Sequence, residues 1–166
     1  MIILGIDPGT ATTGFAVIKK PENRDQKPHV IDFGCIFTAT SLSAEKRLEL
    51  IYDQVRALLK KHSPGLLSIE SIYFFKNLKT AMPVSQARGV ILLAAAQQNI
   101  PTIEFTPLQV KMTVAGYGKA EKKQVQAMIK NLLDFGNLDI NKKTRKKDDA
   151  TDALGIALCG SLALLT

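Results

Sequence analysis

Short apolar runs that end in a turn or an acidic residue recur along the chain and predict its strands. The first run, Ile2–Ile6, is followed by Asp7 and by the turn signal Pro8-Gly9, as expected of a strand buried on both faces. Four more runs of this kind follow along the chain. The pattern predicts strands over residues 2–7, 11–18, 30–37, 66–70 and 102–105.

Helices are predicted where apolar residues recur every three or four positions. Leu48, Ile51 and Val55 show this spacing in the segment before Pro64-Gly65. We predict helices over residues 44–62, 78–98, 108–114, 120–133 and 148–158. Three successive strands followed by strands connected through helices predict an α/β fold, with a mixed five-stranded sheet and helices on both faces.

Length and composition are typical of one globular domain over residues 1–166. No apolar run approaches the length of a membrane span and no basic leader precedes an apolar segment, so we expect a cytoplasmic protein without a membrane partner. Cys35 and Cys159 are the only cysteines, which we interpret as core residues in a reducing compartment. His29 and His62 stand alone, so a zinc site is not expected.

Positive charge is concentrated in one part of the chain. The net charge is +7, and residues 107–147 contain ten basic and three acidic side chains, while the rest of the chain is balanced. This distribution favours a polyanionic partner such as nucleic acid. The alternative is a charged face that only contacts solvent.

Acidic residues stand at the ends of predicted core elements. Asp7 ends the first strand and Glu70 ends the fourth, so their side chains meet at one edge if these strands are parallel neighbours. Asp149 and Asp152 are three residues apart and share a face of the apolar last helix. Asp7 could instead initiate a turn, and a helix cap would explain either Asp148 or Asp149. We assign Asp148 to the helix cap or to solvent.

Four converging carboxylates require a counter-ion, and a divalent cation is the natural one. Oxygen ligands alone suit Mg²⁺ or Mn²⁺. Two such ions can activate water and stabilise the leaving oxygen of a phosphodiester. Together with the basic segment, the acids favour a metal-dependent nuclease.

Six segments, in order along almost the whole chain, support a more specific hypothesis. They are Ile3-Leu4-Gly5-Ile6-Asp7-Pro8-Gly9, Ile69-Glu70, Ser85-Gln86-Ala87-Arg88-Gly89, Gln109-Val110-Lys111, Gly118-Lys119-Ala120-Glu121-Lys122 and Asp149-Ala150-Thr151-Asp152-Ala153-Leu154. Together they resemble the RuvC family of Holliday-junction resolvases. The resemblance implies a ribonuclease-H-like fold, a homodimer, Mg²⁺-dependent paired nicking of four-way DNA junctions in recombination and repair, and cooperation with a branch-migration helicase complex.

The resemblance also implies residue roles. Asp7, Glu70, Asp149 and Asp152 correspond to the carboxylates that hold the metal, with two Mg²⁺ per site and Mn²⁺ as a substitute. Lys111 and Lys122 match basic residues near the scissile phosphate, and Tyr73 matches an aromatic residue that stacks on an unpaired base near the crossover. We further expect DNA contacts from Lys76, Arg88, Lys119, Lys123 and the basic run Lys142, Lys143, Arg145, Lys146 and Lys147.

Three other functions are compatible with parts of this pattern. Asp7-Pro8-Gly9-Thr10 also resembles the first phosphate loop of actin-like ATPases and sugar kinases, but those proteins need two related domains and about twice this length. A ribonuclease-H-like nuclease of the YqgF type would act on RNA; the Ala-Arg-Gly and Gln-Val-Lys segments favour the resolvase. A non-catalytic DNA-binding module would leave the four acids unexplained.

Overall fold

The computed structural model describes residues 1–23, 25–71, 78–139 and 147–164, and the side chains of 78–80 and 147 are left out of the description. The elements, in chain order, are β1 (Ile2–Asp7), β2 (Thr12–Lys19), β3 (His29–Phe37), α1 (Ala44–His62), β4 (Leu66–Glu70), α2 (Leu78–Ala96), β5 (Thr102–Phe105), α3 (Pro107–Ala115), α4 (Lys122–Leu132) and α5 (Lys147–Ala163). All five predicted strands and all five predicted helices are present.

The strands form one mixed sheet in the order β3-β2-β1-β4-β5. β1 pairs antiparallel with β2 and parallel with β4, β2 pairs antiparallel with β3, and β4 pairs parallel with β5. Short connections join the antiparallel strands, whereas the parallel pairs need helical crossovers. The mixed five-stranded sheet is therefore confirmed. β1 and β4 are parallel neighbours, which is the arrangement that brings Asp7 and Glu70 to the same edge of the sheet.

Side-chain alternation along β1 divides the core into two layers. Ile3 belongs to the cluster beneath α5, whereas Leu4 and Ile6 belong to the cluster beneath α1 and α2. α3 and α4 add Val110 and Ile129 to the α5 layer. Helices therefore cover both faces of the sheet, as predicted.

The α5 layer is packed unusually closely against the sheet. A Cβ atom built on Gly5 would lie 2.5 Å from the carbonyl oxygen of Ala153 and 2.6 Å from the Cβ of Ala157. The buried Ser68 hydroxyl donates a 2.7 Å hydrogen bond to the carbonyl of Ile156. Small residues on both sides thus let α5 lie directly on the central strands.

The segment after α4 differs from the prediction. The polar, Gly- and Lys-rich composition of residues 134–147 predicts a mobile connection, but Asp134 pairs with the start of β3. Its N–H donates to the Pro28 carbonyl at 2.9 Å, and its own carbonyl accepts from Val30 at 2.8 Å. The polar composition of this segment did not reveal this pairing because its partner is about a hundred residues away. Residues 140–146 lie outside the described parts.

Helix bounds differ from the prediction mainly at helix ends. α4 begins two residues later, at Lys122, because Glu121 and Gln124 form a reciprocal capping box. α5 continues past the predicted end to Ala163. Within the parts of the chain that the structure describes, no helix combines the length and apolar character needed to cross a membrane.

Candidate active site

Four carboxylates converge at one edge of the sheet. One carboxylate oxygen from each of Asp7, Asp149 and Asp152 lies within 4.8 Å of the others. The fourth acid, Glu70, shares a side-chain hydrogen bond with Asp7 and faces the charge of Asp152. The structure therefore brings together all four acids that the sequence singled out, which we call the acidic cluster.

Strand alternation explains why Asp7 and Glu70 face the same layer. Every second residue of a strand faces the same side of the sheet. On β1, Ile3 and Gly5 face α5, so Asp7 faces it as well. On β4, Ser68 forms a hydrogen bond with α5, so Glu70, two residues later, also faces α5. The parallel register pairs Ile6 with Ile69, so both acids emerge together. Local strand geometry thus turns the two carboxylates towards the first turn of α5.

Gly14 makes room for that first turn of α5. It pairs with Asp7 across β1 and β2. A Cβ atom built on Gly14 would lie 2.1 Å from the carbonyl oxygen of Asp149, so a side chain there would collide with the α5 backbone. The missing side chain at position 14 therefore allows Asp149 and Asp152 to reach the strand ends.

Burial and mutual repulsion keep protons on the acidic cluster. Burial, followed by the charges of Glu70, Asp152 and Asp149, raises the pKa of Asp7 to about 8. Burial and the charge of Asp152 raise the pKa of Glu70 to about 7, although its hydrogen bond to Asp7 acts in the opposite direction. Burial also raises the pKa of Asp152. The cluster cannot be fully ionised at neutral pH without a cation, and its oxygen-only donors fit a divalent metal.

Lys122 places a positive charge beside the acidic cluster. Its Nζ atom lies 3.1 Å from Asp152 Oδ2 and 3.5 Å from Asp148 Oδ2. Burial alone would lower the pKa of this lysine, but the hydrogen bond and charge of Asp152, together with Asp148, raise it. Lys122 therefore stays charged beside the cluster and partly offsets its repulsion.

Asp148 is not among the acids whose carboxylate oxygens lie within 4.8 Å of one another. Its Oδ1 atom accepts a 3.0 Å hydrogen bond from Gln126 Nε2, and its side chain is 62% exposed. The sequence predicts Asp148 at a helix cap or in solvent and does not reveal its contact with α4. The spacing of Lys122 and Gln126, four residues apart on one face of α4, was the available signal.

Lys111 borders the same site from α3. It lines a pocket of about 240 Å³ together with Glu70, Lys122 and Asp152. A larger cleft of about 990 Å³ lies at the opposite end of the sheet, beside Lys19 and Phe135, and none of the four acids lines it. The smaller pocket, and not the larger cleft, therefore adjoins the acidic cluster.

The predicted DNA-binding residues lie in different surroundings. Lys119 and Lys123 are exposed on either side of the α4 N-terminus. Arg88 forms an ion pair with Glu104 on β5. Lys147 begins α5. The others, Tyr73, Lys76, Lys142, Lys143, Arg145 and Lys146, lie outside the described residues.

Comparison with known proteins identifies the family. The family model described as crossover junction endodeoxyribonuclease RuvC matches residues 3–160. The protein of that name from Thermosipho melanesiensis is 49% identical over 159 residues, which cover 96% of each chain. The chain belongs to the RuvC family. The RuvC of Fusobacterium nucleatum is 46% identical over 158 residues, which cover 95% of this chain and 78% of the relative.

Solved RuvC structures show the same fold. Thermus thermophilus RuvC superposes with a TM-score of 0.85 at 28% identity, over 99% of this chain and 96% of that chain. The same protein in complex with Holliday junction substrate gives a TM-score of 0.86 with the same identity and coverage. The predicted ribonuclease-H-like fold and the crossover junction endodeoxyribonuclease activity are thereby confirmed. RuvC-family nucleases depend on a divalent metal, and the acidic cluster suits one.

The metal-free protein should lose stability as the pH rises from about 4 to about 8. Asp7 and Glu70 have raised pKa values of about 8 and about 7 in the folded state, against ordinary values of 3.8 and 4.5. Within this range the folded state keeps protons that the unfolded state has released, so the free energy of unfolding falls with rising pH. Below the ordinary values both states are protonated and the penalty is absent.

Thermal unfolding of the protein in chelator across this pH range would measure the effect. Asp7→Asn, which removes the most strongly shifted group, should flatten the pH profile. Added divalent metal should stabilise the protein more at the alkaline end, because metal binding displaces the retained protons. Parallel pH profiles for the wild-type protein and Asp7→Asn would contradict this prediction.

Proposed function

We propose that this RuvC-family nuclease resolves four-way DNA junctions by paired symmetric nicks, and that residues 1–166 form a single nuclease domain. The observation that carries the proposal is the convergence of Asp7, Glu70, Asp149 and Asp152 at the end of parallel β1 and β4. The junction as substrate is supported by Thermus thermophilus RuvC, whose structure was solved in complex with Holliday junction substrate.

The four acids would hold Mg²⁺, two ions per site, with Mn²⁺ as a substitute. Among the described residues, the group of clustered metal-binding side chains contains carboxylates and neither His nor Cys. Bound ions of this kind supply an activated water and stabilise the leaving oxygen. Lys122 and Lys111, which border the acids from α4 and α3, would bind the non-bridging oxygens of the scissile phosphate.

The remaining basic residues would hold the DNA backbone. Lys119 and Lys123 flank the α4 N-terminus close to Lys122 in sequence and are exposed. The junction would be positioned by salt-dependent phosphate contacts, which do not read its base sequence. These contacts would come from Lys119 and Lys123, from Lys76 and Arg88, and from the run 142–147. Tyr73 would stack on a base at the crossover. A nuclease of this kind would act in the cytoplasm with a branch-migration helicase complex.

The decisive experiment offers the protein a synthetic four-way junction, a linear duplex and a folded RNA, each with Mg²⁺, Mn²⁺ or chelator. We expect symmetric nicks in the junction only when a divalent metal is present. Cleavage of RNA with an intact junction would favour a nuclease of the YqgF type. Junction binding without cleavage under every metal condition would favour a non-catalytic binding module.

The protein should form a homodimer through α2. This helix buries Ala87 and Ile91 against the sheet, while Met82 and Leu93 on its outer face are 65% and 51% exposed. Gly89 lies between them with open space around it. A two-fold dimer would present two equivalent sites to the two equivalent strands of a junction.

Light scattering on Leu93→Lys would test this interface, because a charge in an apolar contact should shift the protein from dimer to monomer. Leu162→Lys, at an exposed position near the end of α5, is the matched control and should leave the dimer intact. A wild-type protein that is monomeric at micromolar concentration and still nicks both strands would contradict the dimer.

A further inference from the structure

α3 turns apolar side chains towards solvent beside the active site. Leu108 and Met112, four residues apart on one face, are 60% and 50% exposed. Val110 and Val114 on the opposite face are buried against α5. Tyr117, just after the helix, is 46% exposed. We call Leu108, Met112 and Tyr117 the α3 apolar patch.

The chain after α3 folds back onto this patch. Gly116 ends the helix in the left-handed conformation, with φ of +80°. Gly118 then lies so close that a built Cβ would be 2.2 Å from Leu108 Cδ1 and 3.7 Å from Met112 Sδ. The Tyr117 hydroxyl donates a 2.7 Å hydrogen bond to Gln124 Oε1 and so attaches the ring to α4. The patch is therefore a fixed part of the surface.

Lys111 lies between the patch and the acidic pocket on the surface of α3. Successive residues advance by about 100° around an α-helix, so Leu108 lies about 60° and Met112 about 100° from Lys111, on the side away from Val110. Lys111 itself lines the pocket with Glu70 and Asp152. A nucleic acid strand that extends past Lys111, away from the acidic cluster, would therefore meet the patch.

The charged residues near the patch indicate which kind of ligand it binds. The segment that contains the patch, residues 107–123, has four basic residues and one acidic residue, Glu121. The basic residues are Lys111, Lys119, Lys122 and Lys123. Exposed apolar groups beside a functional site mark a binding surface. A surface that combines apolar groups with a lysine border suits nucleic acid, since lysines bind phosphates while apolar side chains pack against base faces.

We propose that the α3 apolar patch packs against nucleobase faces exposed at the crossover of a four-way junction, an inference that rests on the proposed junction substrate. Base faces in the interior of a linear duplex are covered by stacking. Apolar side chains can occupy the gap where base steps separate. The patch therefore contributes to the preference for branched DNA over linear duplex.

Leu108→Ser combined with Met112→Ser tests this proposal. Leu108 is 60% exposed and Met112 is 50% exposed, so the fold should tolerate both substitutions. Junction and duplex affinities should be measured in metal-free buffer over a range of salt concentrations, together with the fluorescence of 2-aminopurine placed at the crossover. We expect junction affinity to fall by about tenfold, close to the lower end of the loss for one base–aromatic contact, with duplex affinity unchanged. The fluorescence change on binding should become smaller.

The salt dependence separates apolar from electrostatic contacts. The double variant should keep the wild-type salt slope, because it removes no charge, whereas Lys119→Gln should flatten the slope for both DNAs. Leu162→Ser, an exposed apolar position near the C-terminal end of α5, is the matched control and should bind as the wild type does. Leu108→Met should retain wild-type discrimination because it keeps the apolar surface.

Unchanged junction affinity in the double variant, or an equal loss for junction and duplex, would overturn the inference. The melting temperature of each variant, measured in the same buffer, excludes loss of folded protein as the cause of weaker binding. A wild-type protein that binds junction and duplex equally would contradict the proposed function and not only the role of the patch.

Discussion

Asp7→Asn should lower the rate of junction cleavage by about 100- to 1,000-fold or more, while junction affinity in metal-free buffer holds or rises. The substitution keeps the shape of the side chain and removes one ligand charge from the acidic cluster. Without metal, the ionised cluster repels phosphate, so its acids hinder binding. With metal, the proposed role of the same acids is to hold the ions that cleavage requires. Glu70→Gln, Asp149→Asn and Asp152→Asn should behave in the same way.

Stability distinguishes this effect from damage to the fold. Burial and three neighbouring acids raise the pKa of Asp7, so its ionised form is unfavourable in the folded protein. Asp7→Asn should therefore melt at the same or a higher temperature than the wild type in metal-free buffer near neutral pH. Cleavage gels, junction-binding titrations and thermal melts on the same samples would provide the comparison.

Asp148→Asn is the internal control for the four acids. Asp148 contacts Lys122 and Gln126, is well exposed and lies outside the close group of Asp7, Asp149 and Asp152, so this variant should still cut junctions. Full activity in Asp149→Asn, combined with loss of activity in Asp148→Asn, would show that the wrong acid of this pair had been assigned to the metal.

Gly14→Ala should destabilise the protein by about 1–3 kcal/mol and reduce cleavage more than this loss of folded protein explains. The added Cβ would lie 2.1 Å from the carbonyl oxygen of Asp149 and 2.6 Å from its carbonyl carbon. A Cβ atom and a backbone carbonyl are both fixed by the main chain and cannot rotate away from each other. The first turn of α5 must therefore move. That turn carries Asp149 and Asp152, and the metal site would lose its geometry with it.

Gly34→Ala is the matched control on the neighbouring strand. Its added Cβ would meet only the ring of Phe15, at 3.1 Å, and a side chain can shift by the few tenths of an ångström needed. Denaturant unfolding and cleavage assays should show a smaller loss of stability for Gly34→Ala and preserved activity in the folded protein. Wild-type stability and cleavage in Gly14→Ala would show that α5 does not depend on this contact.

The sequence by itself determined the elements and the chemistry of the acids. Apolar runs and turn signals located the strands that end at Asp7 and Glu70, because strand burial and turn geometry depend on neighbouring residues. The three-residue spacing of Asp149 and Asp152 placed both on one face of α5 for the same local reason. The family motifs then supported a RuvC-type nuclease, which the comparisons confirmed.

Only the tertiary structure decided how these parts meet. The parallel pairing of β1 with β4, the approach of Asp149 to Gly14, and the ion pair between Lys122 and Asp152 all join residues far apart in sequence. Periodicity reports which face of an element is buried and carries no information about which element covers it. The same limit hid the pairing of Asp134 with β3, since the hydrogen bonds of a polar segment depend on a partner brought close by folding.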